Sequence, residues 1–385
     1  MFRKIVLPIL LAALCLFAAW PAAAEVPDNI PFEVNAESAV LMEVSTGEVL
    51  YAKNADRALP PASVTKIMTL LLFMEEVDGG NIALDEEITV SEYAASMGGS
   101  QVYLEAGETM TAEELLKCVI IASANDAAVT LAEKVSGSEE AFVSRMNARA
   151  AELGMANTHF ENVTGLDDTA VKHLTSAYDI ALMSRALLSH ETITKYATIW
   201  MDSIRDGAFG LTNTNRLVRF YPGITGLKTG STSKAGFCMS ATAKRDGMHL
   251  IAVVMGAPTR DIRNAAAKEL LDYGFAGYSL YENPGGDAGA VPVKGGVEGN
   301  CRAVMPPVSI LLAKGKTRGV TQEILLDTSV TAPVEEGQRI GTVRLLLDGE
   351  VLREDPVTAA SSVPRIGFGA LLWRMLGTAF LKSEK

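Results

Sequence analysis

Gly236-Phe-Cys-Met-Ser-Ala-Thr-Ala-Lys244, Arg245-Asp246-Gly247 and Met248-His-Leu-Ile-Ala-Val-Val-Met255 follow one another without a gap. Two β-rich runs flank an Asp-Gly turn signal, which predicts a hairpin, and Ile224 to Thr229 just before it reads as a third strand. Far upstream, Ser38 to Val44 and Glu48 to Tyr51 are joined by Ser45-Thr46-Gly47, a second hairpin signal. Between these strand groups the periodicity is mostly helical. Pro60-Pro61 breaks the chain, and an apolar block from Ile67 to Val77 stops at Gly79-Gly80, as a buried helix would. Ala112 to Ile121, Ala124 to Val135, Glu139 to Leu153 and Ser176 to Leu188 follow with helical spacing. Strands at both ends of a helical stretch predict one sheet built from distant parts of the chain, an α+β domain with a mostly helical insertion. Arg263 to Tyr273 reads as a closing helix ended by Gly274. Beyond Pro284-Gly285-Gly286 the helical pattern disappears, and Val304 to Leu312, Thr321 to Thr328 and Thr342 to Leu347 read as strands. The expected organisation is a main domain over 25–283 and a small all-β C-terminal domain over 284–360. No internal repeat or low-complexity tract interrupts it.

The 385 residues carry 34 Lys+Arg against 46 Asp+Glu, a formal net charge of −12. That length fits two domains, and 48% hydrophobic with 21% charged residues excludes wholesale disorder. The acidic balance argues against nucleic acid as a partner. Residues 1–24 hold Arg3 and Lys4, an apolar run from Ile5 to Trp20 and Ala22-Ala23-Ala24, the pattern of a cleaved signal peptide. The run is short for a membrane span. Cys15 is preceded by Leu14 rather than a small residue, which argues against lipidation. Export removes two cations and no acids, so the mature chain is more acidic still. Cys118, Cys238 and Cys301 then remain, too few for a disulfide framework in an exported protein. At the other end, 361–385 is apolar and punctuated by Arg365, Arg374 and Lys382 around Trp373. A central Arg374 disfavours spanning, whereas a helix lying on the membrane surface places its cations among headgroups. The expected location is therefore outside the cytoplasm, on the outer face of a membrane and peripherally anchored. A final helix packed on the protein itself is the alternative.

Three short motifs occur in order: Ser63-Val64-Thr65-Lys66, Ser123-Ala124-Asn125 and Lys228-Thr229-Gly230. Each alone is weak; together, in this setting, they form a catalytic signature. Ser63 and Lys66 share a helix face, within reach of one another. A serine hydroxyl attacks only when a base takes its proton, and lysine serves as that base once burial or a nearby cation lowers its pKa. Lys66 leads into a helix that should be buried, and Lys228 supplies the second cation. Ser123 would relay a proton to a leaving amine, and Asn125 would hydrogen-bond a substrate amide. A helix cap is the plainer reading of that pair. Gly226 on the strand before Lys228 would let a peptide approach along the strand edge. Lys228, Thr229 and Ser231 would hold a substrate carboxylate beside Gly230, and the N–H groups of Ser63 and Ser231 would form an oxyanion hole. His159, His173, His190 and His249 show no close pairing, so neither a histidine metal site nor a Ser–His–Asp triad is supported. No cofactor motif is present. Asn162-Val163-Thr164 has the form of a glycosylation sequon, a match common by chance.

With these motifs in place, the chain resembles the low-molecular-mass penicillin-binding proteins of the penicillin-binding protein 5 type, the serine-type D-alanyl-D-alanine carboxypeptidases. The resemblance runs through Gly98-Gly99-Ser100-Gln101-Val102-Tyr103-Leu104-Glu105-Ala106-Gly107-Glu108 and Leu153-Gly154-Met155-Ala156-Asn157-Thr158-His159-Phe160. It continues through Thr164-Gly165-Leu166-Asp167 and Ser176-Ala177-Tyr178-Asp179, and the stretch from Ala332 to Thr342 looks like the family's C-terminal β domain. Arg263 matches a family arginine near the carboxylate-binding end of the cleft. The resemblance implies a β-lactamase/transpeptidase-like fold, an antiparallel sheet with a helical insertion, followed by the β domain and the anchor. It implies that Ser63 attacks between the two terminal D-alanines of a peptidoglycan stem peptide, and that β-lactam antibiotics acylate the same serine. Ala124 stands where many relatives have Gly, and Ser231 where some have His. The rival enzyme is a serine β-lactamase, which needs a dedicated deacylation base, and Glu161 does not fit that pattern. The rival from another class is a non-catalytic penicillin-sensing or wall-binding module, against which the intact motifs argue.

Overall fold

A computed structural model describes residues 32–373 with the exception of 169. The expected signal peptide and the last part of the expected anchor, 374–385, lie outside the described residues.

The hairpin read from Gly236 to Met255 forms the middle of a five-stranded antiparallel sheet. Its order is Val49–Lys53, Ser38–Glu43, Met248–Ala257, Gly236–Arg245, Ile224–Thr232. Ser38 pairs with Met255 and Glu43 with Leu250, so the start of the described chain closes the sheet against strands more than two hundred residues later. Within the strand Met248–Ala257, Leu250 to Met255 is an unbroken apolar run because both of its faces are covered. Ile251, Val253 and Met255 enter one core with the helical insertion, whereas Leu250, Ala252 and Val254 enter another with Leu270 and Leu271 of the helix Arg260–Gly277. Lys66–Asp78 is buried from Lys66 through Met74 and runs through the first core, as expected of a helix apolar all round. One of the two edge strands is Ile224–Thr232, which carries Lys228, Thr229 and Gly230; Val49–Lys53 is the other.

Three local expectations change. The helix expected over Ala112 to Ile121 is α-helical only as Ala112–Lys117. It then widens into a π-turn, Cys118–Ala122, that ends at Ser123 with φ 65°, in the left-handed region. Gly274 does not end the last helix of the main domain. A Cβ there would lie 2.5 Å from Leu250 Cδ1 and 3.1 Å from Leu41 Cδ2, so the glycine lets the helix lie close on the sheet. The strand expected over Val304 to Leu312 is divided at Pro306-Pro307, where proline removes ladder donors.

The halves of that strand go different ways. Asn300–Met305 joins a six-stranded sheet with its own core of Val291, Cys301, Ala303, Val334, Ile340 and Val357. Val308–Ala313 instead pairs antiparallel with Tyr278–Asn283, a strand with no clear sequence signal, and puts Leu311 into the second core of the main body. This ribbon ties together the chain on the two sides of Pro284. At the described C-terminal end, a helix begins at 368 with Phe368 and Trp373 exposed. Among the described residues, no helix is long and apolar enough to cross a membrane.

Candidate active site

Ser63 lies in a 3-10 turn, Ala62–Thr65, that runs directly into the helix opened by Lys66. Lys66 Nζ is 3.0 Å from Ser63 Oγ, 2.6 Å from Asn125 Oδ1 and 2.9 Å from the Thr164 carbonyl. Its side chain is fully buried. Burial pushes its pKa well below the usual lysine value, the Lys228 charge pushes it further, and Asp126 opposes both. The two carbonyl oxygens fit the two N–H groups of a neutral amine. Nζ donates to Ser63 Oγ as well; in the neutral amine the lone pair left over by the two carbonyl contacts is the one available to take the Ser63 proton.

The turn is held from three sides. Thr65 Oγ1 donates to the Ala62 carbonyl at 2.9 Å and lies 2.8 Å from His173 Nε2. His173 Nδ1 accepts from the Glu161 N–H at 3.0 Å, so Nε2 carries the proton and donates to Thr65. Burial lowers the His173 pKa to about 4, which keeps this histidine a neutral strut. Gly165, at φ +81°, packs under the turn so closely that a Cβ would lie 1.8 Å from the Ala62 carbonyl oxygen. On the sheet side, a Cβ at Gly230 would lie 2.7 Å from the Ser63 nitrogen and 2.9 Å from the Pro61 oxygen. The edge strand thus abuts the nucleophile turn at Gly230. Gly226, expected to admit a ligand, packs against Ala197 instead, where a Cβ would meet the Ala197 Cβ at 2.9 Å.

Thr164 escaped sequence reasoning because it contributes a backbone carbonyl, which any residue type supplies. Asn162, read above only as a chance sequon, fixes that carbonyl. Its Oδ1 accepts from the Thr164 N–H, the Thr164 hydroxyl and the Gly165 N–H, and its Nδ2 donates to the Leu166 carbonyl. The Asn-x-Thr-Gly spacing of an Asx turn was the available signal.

Ser123 leaves the π-turn in a left-handed conformation, and its Oγ is buried without a hydrogen-bond partner. Strain and an unused hydroxyl at one residue are marks of a functional position. Neither Ser123 nor Asn125 caps the next helix; the N-cap is Ala124 and no side chain caps it. The Asn125 amide is engaged at both ends, accepting from Lys66 and donating to the Gly98 carbonyl at 2.6 Å. Each end keeps one further site, a lone pair on Oδ1 and an N–H on Nδ2, for a substrate amide. Asp126, also missed, is buried next to Asn125 and accepts from the Val102 and Leu104 N–H groups at 3.0 and 3.1 Å. It fixes the loop from Gly98 to Leu104 against the site.

Lys228 is buried with its Nζ donating to the Thr229 carbonyl at 3.2 Å. Burial, and then the Arg263 charge, lower its pKa to about 7. Arg263 is itself buried, donates to the Cys238 carbonyl and to Asn264 Oδ1, and is lowered to about 10 by burial and the Arg260 charge. Thr229 Oγ1 donates to Thr214 Oγ1 at 2.9 Å. Ser63, Ser123, Thr229, Gly230, Ser231 and Arg263 all face one cleft of about 590 Å³, and none of its lining residues is acidic. Cations without counter-ions around a cleft favour an anionic ligand such as a peptide carboxylate.

A hydroxyl held against a buried amine, at the mouth of a cationic cleft, is the constellation of a serine acyl-transfer enzyme. Residues 22–259 match the family described as D-alanyl-D-alanine carboxypeptidase, and residues 289–365 match the C-terminal domain of penicillin-binding protein 5. The chain belongs to the D-alanyl-D-alanine carboxypeptidase family of peptidases. It is 47% identical over 349 residues, 89% of each chain, to the D-alanyl-D-alanine carboxypeptidase DacF of Bacillus subtilis (strain 168). Penicillin-binding protein 5 from Haemophilus influenzae superposes with a TM-score of 0.76 at 30% identity, over 88% of this chain and 100% of that one. Penicillin-binding protein D2 from Listeria monocytogenes, solved in its ampicillin-bound form, has a TM-score of 0.59 at 32% identity, over 64% of this chain and 100% of the other. The β-lactamase/transpeptidase-like α+β fold with an added β domain, expected from the sequence, agrees with these relatives.

Proposed function

We propose that the protein is a serine D-Ala-D-Ala carboxypeptidase that trims the terminal D-alanine from peptidoglycan stem pentapeptides during cell wall remodelling. The observation that carries this reading is the 3.0 Å contact of Ser63 Oγ with the fully buried Lys66 Nζ, beside a cleft lined by no acid. Lys66 takes the Ser63 proton as Oγ attacks the carbonyl carbon between the two alanines. The N–H groups of Ser63 and Ser231 hold the resulting oxyanion. Ser123, whose hydroxyl has no other partner, passes the proton to the departing amine as the C–N bond breaks. Lys228, Thr229 and Arg263 hold the terminal carboxylate, and Asn125 and Gly230 set the edges of the site. Water then cleaves the Ser63 ester, releasing the shortened peptide and returning the proton to Ser63. A β-lactam ring carries the same carbonyl and carboxylate and acylates Ser63. Glu161 is not placed as a deacylation base of the β-lactamase kind, since it lines a different cavity from Ser63, where its carboxylate accepts from the Val171 and Lys172 N–H groups.

The test is release of free D-Ala from a peptide ending D-Ala-D-Ala. Wild type is expected to release it and Ser63→Ala to release none; equal release by both would refute the assignment of Ser63.

The same reading places the mature protein on the outer face of the bacterial cytoplasmic membrane, held by the segment from 368 onward as a surface helix. The expected anchor starts later than 361, because 361–367 is extended chain that bridges back to the β domain through Val363 and Arg365. Support comes from Phe368 and Trp373, 81% and 79% exposed at the start of that helix, and from Arg365, Arg374 and Lys382 in the sequence. Full-length protein is expected to sediment with anionic liposomes and a chain ending at residue 363 to stay in the supernatant. Equal sedimentation of the two would overturn the anchor.

A further inference from the structure

Three cations at the mouth of the cleft have no role in the reaction just described. Arg216, Arg219 and Arg260 line the same cavity as Ser63 and Thr229. Neither they nor Arg263 form an ion pair with a carboxylate among the described residues. In a chain of net charge −12, a carboxylate near each arginine is the expected arrangement. The three sit close to the buried carboxylate pocket: the charges of Arg260 and Arg216 both lower the Arg263 pKa, with Asp261 a weaker opposing influence. Arg219 is positioned without any acid, its guanidinium 5.7 Å from the Trp200 ring centre and 5.3 Å from that of Phe220. One terminal carboxylate already has Lys228, Thr229 and Arg263. Three further unpaired guanidinium groups exceed what that single negative charge needs, and their mutual repulsion is relieved by a second anion.

We propose that Arg216, Arg219 and Arg260 form a second anion subsite, which binds a side-chain carboxylate of the peptide substrate and so sets specificity among peptides cleaved by the same chemistry. Arginine suits this task because its planar fork matches a carboxylate. The subsite rests on the carboxypeptidase reading above, deepens it, and is separable from it by experiment.

Three peptides distinguish the outcomes. One ends in D-Ala-D-Ala and carries no side-chain charge. The second has a side-chain carboxylate on the residue before the two alanines. In the third, D-Asp replaces the final D-Ala. Wild type is expected to favour one of the two acidic peptides over the neutral one, chiefly through KM, and whichever it favours locates the carboxylate upstream or on the leaving residue. Arg216→Ala, Arg219→Ala and Arg260→Ala are each expected to reduce that preference about two- to fivefold, the usual range for an exposed ion pair, and the triple variant to remove it. Cleavage of the neutral peptide should fall less than that of the favoured acidic peptide in each variant, so that the ratio of the two kcat/KM values reports the subsite. Equal kcat/KM for the three peptides in wild type, or a preference that survives the triple variant, would overturn the subsite and leave the carboxypeptidase reading standing. Failure of wild type to cleave any peptide would overturn both. Should the triple variant fail to fold, the single variants decide.

Discussion

Lys66→Ala is expected to lower kcat/KM for D-Ala release by about a thousandfold or more and to stop acylation by a labelled penicillin, with Ser63 still in place. The substitution removes the only amine in contact with Ser63 Oγ among the described residues. It also leaves Asn125 Oδ1 and the Thr164 carbonyl, both buried, without their donor. Lys66→Arg is expected to fail almost as completely, because a guanidinium keeps its proton and cannot accept one from serine. Activity near that of wild type in either variant would exclude Lys66 as the base. The pH profile adds a signed test. The base must be neutral, so the acylation rate rises with pH through the Lys66 pKa, which burial and Lys228 hold well below the ordinary lysine value. Lys228→Met removes a positive charge that lowers this pKa; the Lys66 pKa rises, and the acid limb should move to higher pH. An unmoved limb would show that Lys66 does not govern it.

Gly165→Ala is expected to be as damaging as loss of a catalytic group, although Gly165 has no side chain to offer. A Cβ at this position would sit 1.8 Å from the Ala62 carbonyl oxygen and 2.8 Å from Thr65 Oγ1, inside the turn that carries Ser63. The obstructing atom is backbone and cannot rotate away, so the turn itself must shift. A displacement of about 1 Å at a nucleophile costs about a hundredfold in rate. The left-handed φ adds about 1 to 2 kcal/mol of strain for any residue with a Cβ. Gly154→Ala separates the two effects: φ is +75° there too, but nothing lies within 4 Å of the added carbon. Thermal melts should show a loss from strain alone in Gly154→Ala and a larger one in Gly165→Ala, with penicillin acylation impaired only in the latter. Equal acylation by the two variants would show that the contact with Ala62 does not set the position of Ser63.

The α+β architecture could be read from the chain because Gly236 to Met255 alternates between two cores and must be a two-faced strand pair, while the intervening residues keep helical spacing. Ser63, Lys66, Ser123, Asn125, Lys228, Thr229, Gly230 and Ser231 were named by residue type and spacing, and Arg263 by the family resemblance. The structure places Ser63, Ser123, Thr229, Gly230, Ser231 and Arg263 on one cleft, with Lys66 buried behind it against Ser63 and Asn125, and Lys228 buried next to Thr229. What could not be read has specific causes. The π-turn at Cys118–Ala122 arises from packing rather than periodicity, so the left-handed exit of Ser123 had no pattern to announce it. Thr164 acts through its carbonyl, which leaves no side-chain signature. Arg216, Arg219 and Arg260 are scattered singly through the sequence and gain meaning only from sharing a cleft.

The sequence alone determined the chemistry available: a serine one helical turn from a lysine that must be buried, two further motifs in fixed order, and an acidic chain with a cationic, apolar tail. Those properties are local, written in residue type and short spacing. Only the tertiary structure decided how the lysine is made a base. Its pKa falls because the Ser63 turn is clamped between Gly165 and Gly230, two residues from different parts of the chain whose missing side chains let the sheet and the Asn162 loop close on Lys66 and exclude water. Desolvation depends on what surrounds a group from every direction. No single stretch of sequence records it.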